Sequence, residues 1–246
     1  MQPTSSACSE QQFHNSYPPG IEHKFWNLAR NMVIADTLRG IGADTSKILE
    51  VGCGTGIVVS YLRKQGMDCT GAELGNPTLV PDIKDHVVTG RDYRDLPQHT
   101  LESVETLLLL DVIEHIEAPV PFLKEARSLM PNLRRILITV PARKEVWSNY
   151  DDYNRHFRRY NRQDLKSELS SAGFEIEKNF YFFHSLYFVL LALSLFRVDR
   201  AIQFQAPKRK GLHAFIARCF KIESRVLPGF ILGSSLLATA KPKPAQ

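Results

Sequence analysis

At 246 residues and 43% apolar, the chain is long enough to bury a core without disulfides or metals, and its composition is that of a globular protein, not a disordered one. Its net charge of +5 is uneven. Eight Lys/Arg against Asp199 and Glu223 give residues 197–225 a charge of +6, leaving −1 for the rest, which argues against a general nucleic-acid coat and for one local positive surface. Cys8, Cys53, Cys69 and Cys219 show neither a paired disulfide framework nor C-x-x-C metal spacing.

In chain order, residues 1–20 are polar and turn-rich and read as a flexible arm. They lack the basic and apolar regions of a secretory signal, so a cytoplasmic location is expected. Residues 21–42 carry apolar side chains near helical spacing up to Gly40 and Gly42. Short apolar runs at 47–51, 69–73, 86–89, 104–110 and 135–140 then alternate with helical stretches at 55–65 and 120–130. Strand and helix in alternation, with near-continuous apolar strands, imply a parallel sheet covered on both faces. After Pro141 come a charged, aromatic loop (142–160), a helix closed by Gly173, and a strand at 175–183. An apolar helix, a basic connector, an amphipathic helix at 212–226 and a last strand in SSLLATAKPK complete the chain.

The segment Lys47-Ile-Leu-Glu-Val-Gly-Cys-Gly-Thr-Gly56 is a strand entering a glycine turn that opens a helix. Such a turn lets backbone touch a ligand where any Cβ would collide, and the helix N-terminus offers free N–H groups. The spacing is Gly52-x-Gly54-x-Gly56, with Ile57 where a pyrophosphate-binding turn needs Gly or Ala. Glu50 sits in the lead strand, and Glu73 ends the next strand, where an acid can accept both hydroxyls of a ribose. An acid-rich pocket without a pyrophosphate suits a cationic ligand such as a sulfonium carrying an ammonium. Each feature also has a bland reading: Glu50 as a loop cap, Asp92 and Asp95 as turn acids, Tyr93 as core.

Together ILEVGCGTG, GAELG, GRDYRDLP and LLLLDVIEHI, in this order, resemble the class I S-adenosylmethionine-dependent methyltransferases, and within them the group similar to the ubiquinone-biosynthesis O-methyltransferases. The resemblance spans roughly residues 20–183 and 233–242. It implies a Rossmann-like, doubly wound α/β sheet of seven strands with the last antiparallel, S-adenosyl-L-methionine as cofactor, and a domain over 21–242. It also implies that Gly52, Cys53, Gly54 and Gly56 line the methionine and ribose portion. Glu73, with Leu74 beside it, would hold the ribose hydroxyls, Asp92 and Tyr93 would meet the adenine, and Asp111 and Val112 would border the methyl-bearing end. Arg30, on a helix similar to one that closes over the cofactor, would hold the methionine carboxylate, against the alternative of a surface arginine.

Methyl transfer needs a base only where the nucleophile must lose a proton. His115, just past the fourth strand, and His156, in the loop after the fifth, are the candidates. His115 could instead hold its loop or stack on the cofactor, and His156 could belong to a solvated charged loop. Arg159 and Tyr160 complete a His…Arg-Tyr pattern that resembles a substrate loop. The eight histidines show no metal-ligand spacing. Residues 180–196 carry no Lys, Arg, Asp or Glu, yet their helical part is too short to span a bilayer. Residues 184–230 therefore read as a substrate dock that touches a membrane surface peripherally or as packing on the core or a second subunit; oligomeric state is left open. The expected activity is methyl transfer to a small-molecule, even lipid-linked, acceptor, most plausibly at oxygen. The rivals are a nicotinamide-dependent oxidoreductase and a non-catalytic cofactor-binding or membrane-docked scaffold. Nucleic acid is disfavoured because the basic residues cluster away from the expected pocket mouth.

Overall fold

A computed structural model describes residue 15 and residues 17–244. The arm expected over 1–20 therefore lies mostly outside the described residues. Residues 18–24 form tight turns, with Ile21 N–H donating to the Pro18 carbonyl at 3.1 Å.

Helix α1 (Phe25–Gly40) leads to β1 (Ile48–Val51), α2 (Ile57–Lys64), β2 (Cys69–Glu73), β3 (Val87–Thr89), α3 (Gln98–Ser103), β4 (Thr106–Leu110), α4 (Pro119–Leu129) and β5 (Arg135–Pro141). After these come α5 (Asn149–Tyr153), α6 (Arg162–Ser171), β6 (Phe174–Phe182), α7 (His184–Leu195), α8 (Lys210–Val226) and β7 (Ser235–Pro242). The strands form one seven-stranded sheet in the order β3-β2-β1-β4-β5-β7-β6. Strands β1 to β5 pair in parallel, and β7 runs antiparallel between β5 and β6. This is the Rossmann-like sheet expected, with the last strand reversed.

The sheet is buried on both faces, which is why its central strands are almost entirely apolar, with Glu50 of β1 as the charged exception. In β4, Leu107 and Leu109 face a cluster with Leu123 of α4 and Leu165 and Leu169 of α6. Leu108 and Leu110 face the opposite cluster, with Ile34 and Leu38 of α1 and Val59 and Leu62 of α2. The strand order reverses between β1 and β4, and ligands bind outside the carboxyl ends of the strands at such a switch point.

Helix α8 packs on α1 in a way its residue pattern conceals. Ala217 is fully buried, Phe220 stacks on Phe25 at 5.6 Å, and Lys221 and Arg225 both pair with Asp36 at 3.2 and 2.6 Å. Asp36 of α1 thus engages two cations of the helix, with the Arg225 side chain still largely exposed. Leu212, Phe215, Ile222 and Val226 are left exposed. Helix α7 is not apolar-buried all round either. Tyr187 and Leu190 pack on Val146, while Phe188, Val189, Leu195 and Phe196 are exposed. Glu223 of α8 caps α7, accepting from the backbone N–H of His184 and Ser185 at 2.9 and 2.8 Å. Among the described residues no helix is long and apolar enough to cross a membrane.

Candidate functional site

At the carboxyl end of β1 the backbone turns through Gly52, Gly54 and Gly56, all at positive φ. A Cβ on Gly52 would lie 2.8 Å from Val112 Cγ2, and one on Gly56 would strike the side chain of Ile83. The turn thus fits only without side chains. Glu73, at the tip of β2, is clamped by this turn. Its Oε2 accepts from Gly54 N–H and its Oε1 from Gly75 N–H, both at 2.8 Å, and the residue lines the adjoining cavity.

That cavity, about 1090 Å³, opens over the ends of β1, β2 and β4. Gly52, Gly54, Glu73, Leu74, Asp92, Tyr93, Asp111, Val112, His115, His156 and Arg159 all line it. Glu50, Cys53, Gly56, Arg30 and Tyr160 do not. Cys53 and Gly56 belong to the inner side of the turn, with Gly56 N–H bonded to the Cys53 carbonyl at 2.9 Å. Glu50 lies beneath the turn, and burial, reinforced by nearby Glu73 against the opposing charge of Arg30, pushes its carboxyl up to about 8. Its Oε2 has no partner.

Asp92 is held below the usual carboxylate range because hydrogen bonds from Arg94 outweigh its partial burial; the pair is 2.7 Å apart. Tyr93 is both core and cavity wall: it is buried, its ring meets Phe122 edge-on at 5.7 Å, and its hydroxyl is unpartnered. Arg30 is buried rather than on the surface, and its guanidinium is engaged by Asp111 at 2.9 Å. Asp111 adopts φ +56° at the end of β4, where Thr139 Oγ1 also donates to it at 3.3 Å.

The other wall comes from the loop after β5. Asp151 is fully buried. It accepts from Arg159 Nε at 2.7 Å and Nη2 at 2.9 Å, and His156 Nδ1 lies 2.9 Å from it. Burial alone would raise its carboxyl, but the His156 and Arg159 hydrogen bonds win and bring it to about 2. An ionised carboxylate only accepts, so Nδ1 of His156 carries the proton of this hydrogen bond. His115 stands edge-on to His156 at 4.7 Å; burial, then the neighbouring His156, lowers it to about 4.

Two expectations change here. Tyr160 is not a substrate-loop residue: its ring is in the core, and its hydroxyl donates to Glu168 at 3.0 Å, because the loop re-enters the sheet at an Ala142–Tyr160 bridge. And although spacing along the chain shows no metal set, the donor atoms of Glu114, His115 and His156 lie within 4.8 Å of one another, a set a divalent cation can use. Glu114 is fully buried with both oxygens unpartnered. The signal was missed because Phe157 N–H, bonded to the Glu114 carbonyl at 2.8 Å, joins segments distant in sequence. Asp151 was missed because nothing local marks one acid in a loop rich in them.

A side-chain-free glycine turn with Glu73 beside it, at the switch point of a doubly wound sheet, is the arrangement at which open α/β folds bind ligands. The sequence model of the methyltransferase-domain family matches residues 27–179, and the chain belongs to that family. It is 25% identical over 100 residues to an Acinetobacter baumannii ubiquinone biosynthesis O-methyltransferase, an alignment covering 37% of this chain and 42% of that relative. The chain thus spans less than half the length of this curated relative. The Burkholderia thailandensis 1,6-didemethyltoxoflavin-N1-methyltransferase, solved with its acceptor and S-adenosylhomocysteine, shares the fold with a TM-score of 0.55 at 16% identity, covering 97% of this chain and 92% of that one. The Synechocystis magnesium protoporphyrin IX methyltransferase with bound S-adenosylmethionine has a TM-score of 0.51 at 13% identity, covering 98% and 100%. The residues present fit the cofactor S-adenosylmethionine: a side-chain-free turn for close approach, Glu73 for the ribose, and an acid-rich floor for a cation.

Proposed function

We propose that this chain transfers a methyl group to an oxygen of a small-molecule acceptor. The observation that carries the reading is His156, which lines the same cavity as the glycine turn and Glu73 and is backed by the buried Asp151 at 2.9 Å. S-adenosylmethionine, when bound, supplies a sulfonium methyl group open to in-line displacement. His156 Nε2 would take the O–H proton of the acceptor whose oxygen is to be methylated. Asp151 keeps the imidazole in the tautomer that can do so and stabilises the cation that results. His115, lowered to about 4, is neutral near pH 7 and places no charge against the sulfonium. Glu73 and the turn fix the nucleoside, and the walls exclude water from the reacting atoms.

Titration calorimetry with S-adenosylmethionine and NAD tests the donor, and a metabolite screen for the gain of one CH2 tests the transfer. NAD binding without S-adenosylmethionine binding defeats the reading in favour of the oxidoreductase. The exposed apolar stripes of α7 and α8, flanked by Lys208, Arg209, Lys210 and Arg218, support peripheral docking on an anionic membrane and an acceptor with a lipid tail. Co-sedimentation with phosphatidylglycerol vesicles should fall when Phe188, Phe196 and Phe215 become Ser; no sedimentation of the native chain removes the lipid reading.

A further inference from the structure

We propose that the part of the cavity wall formed by Lys24, Tyr150, Arg200 and Phe204 is a subsite for a carboxylate or other oxyanion on the acceptor, with the two rings receiving its apolar body. The inference rests on the methyl-transfer reading above and names the class of acceptor.

All four residues line the cavity, and they form one continuous wall. The Arg200 guanidinium stacks 4.6 Å from the Tyr150 ring, and Tyr150 meets Phe204 edge-on at 5.8 Å. Lys24 Nζ lies 3.9 Å over Phe204. Most arginines that contribute to this molecule's walls and helix packing are paired with acids: Arg30 with Asp111, Arg159 with Asp151, Arg225 with Asp36. Arg200 and Lys24 form no ion pair among the described residues, and Arg200 Nη1 is buried without any partner.

An arginine cannot shed its proton to escape such a position, and burying its charge unpaired is costly. Asp151, the acid whose charge acts on Arg200, has its oxygens taken by Arg159 and His156, so it does not supply the missing anion. The position is also pinned. Asn149 Oδ1 accepts from Arg200 N–H at 2.8 Å, and Asn149 Nδ2 donates to the Arg200 carbonyl at 2.9 Å, so the backbone is fixed and the guanidinium rests on the Tyr150 ring before any ligand arrives. Burial and the like charge of Arg159 both disfavour its cation, a cost that a bound anion offsets. Tyr150 is also the ring next to His156, at 6.5 Å. An acceptor with an anionic group at Arg200 can therefore span one aromatic ring and present its nucleophile to the base.

The same anion chemistry has a second source, the methionine carboxylate of the cofactor, and the experiment separates the two. Benzoate, phenylacetate and 2-naphthoate, each with its primary amide, are titrated into the full chain, alone and saturated with S-adenosylhomocysteine. At least one acid should bind about tenfold more tightly than its amide, the worth of one charge-assisted pair. Arg200→Gln should erase that preference, Arg200→Lys should restore part of it, and S-adenosylhomocysteine affinity should stay unchanged in both. Acids that bind no better than their amides, or do not bind, overturn the subsite. So does an Arg200→Gln variant that loses S-adenosylhomocysteine affinity and keeps the acid preference, since Arg200 then serves the cofactor. Failure of the native chain to bind S-adenosylhomocysteine at all is read in the first titration and defeats the methyl-transfer reading instead.

Discussion

Glu50 gives the molecule a pH-dependent stability whose sign can be worked out. Its carboxyl stands at 4.5 in the unfolded chain and about 8 when folded, raised first by burial under the glycine turn. Below pH 4.5 both states hold the proton, and the residue contributes nothing to the difference between them. From there to about 8 the unfolded state gives up its proton and the folded state keeps it, so stability falls as pH rises, then levels off. At about 1.4 kcal/mol for each tenfold step in acidity, the loss across that window approaches 5 kcal/mol as a ceiling. Glu50→Gln fills the same space without a proton to lose. Its stability should lack this slope, starting about 1 kcal/mol below the native chain in acid, where the amide is poorly partnered, and rising above it in alkali. Urea unfolding followed by circular dichroism between about pH 5 and 9 measures both curves. Parallel curves for the two chains would show that Glu50 keeps its charge in the fold, and would refute the account of the turn's floor as a dry, acid-holding site. A cationic ligand above that floor should also flatten the native curve, since it favours the ionised carboxylate.

Two further outcomes follow from the site. Gly56→Ala combines a φ of +78° with a collision against Ile83, whereas Gly66→Ala has φ +83° and open space around its Cβ. Both should lose about 1 kcal/mol for the backbone, and only the first should lose several more together with S-adenosylmethionine affinity; equal losses in thermal unfolding would contradict the packing described. Asp151→Ala strands the buried Arg159 and should cost about 3–5 kcal/mol in urea. Asp151→Asn keeps the shape but releases the His156 tautomer, so nitrogen-15 NMR of the imidazole should show Nε2-H in place of Nδ1-H, and an unchanged tautomer would dissociate the pair from the proposed chemistry.

What was legible in the sequence follows the range of the physics involved. The strands of the sheet's centre are apolar on both faces because both are covered, so Ile48–Val51 and Thr106–Leu110 could be read directly. The turn between Gly52 and Gly56 is a local event, three positive-φ positions within five residues, and Glu73 follows because β2 pairs with β1 in register. Residues whose role depends on a partner elsewhere could not be read this way. Arg30 looked like a cation free for a ligand until β4 brought Asp111 to it. Tyr160 looked like a loop residue until its segment rejoined the sheet. In α8 the residue pattern showed an amphipathic helix but not its partner: Ala217 is buried, Phe220 stacks on Phe25 of α1, and Asp36 of α1 pairs with Lys221 and Arg225.

The same division runs through the cavity. Its cofactor side is built from consecutive strand ends, so its chemistry is that of a short motif and is shared with any chain that folds the motif. Its other side is assembled from three separate stretches, contributing Lys24, then Tyr150 and His156, then Arg200 and Phe204. None of these side chains belongs to a strand of the sheet. The proposed base held by Asp151 and the guanidinium without a counter-ion both belong to this second side, where function is set by the site and not by the fold. It follows that the acceptor is to be sought by matching that wall (an anion, a flat apolar body and a hydroxyl one ring away), and that substitutions confined to it should change which acceptor is methylated while the affinity for the cofactor stays as it is.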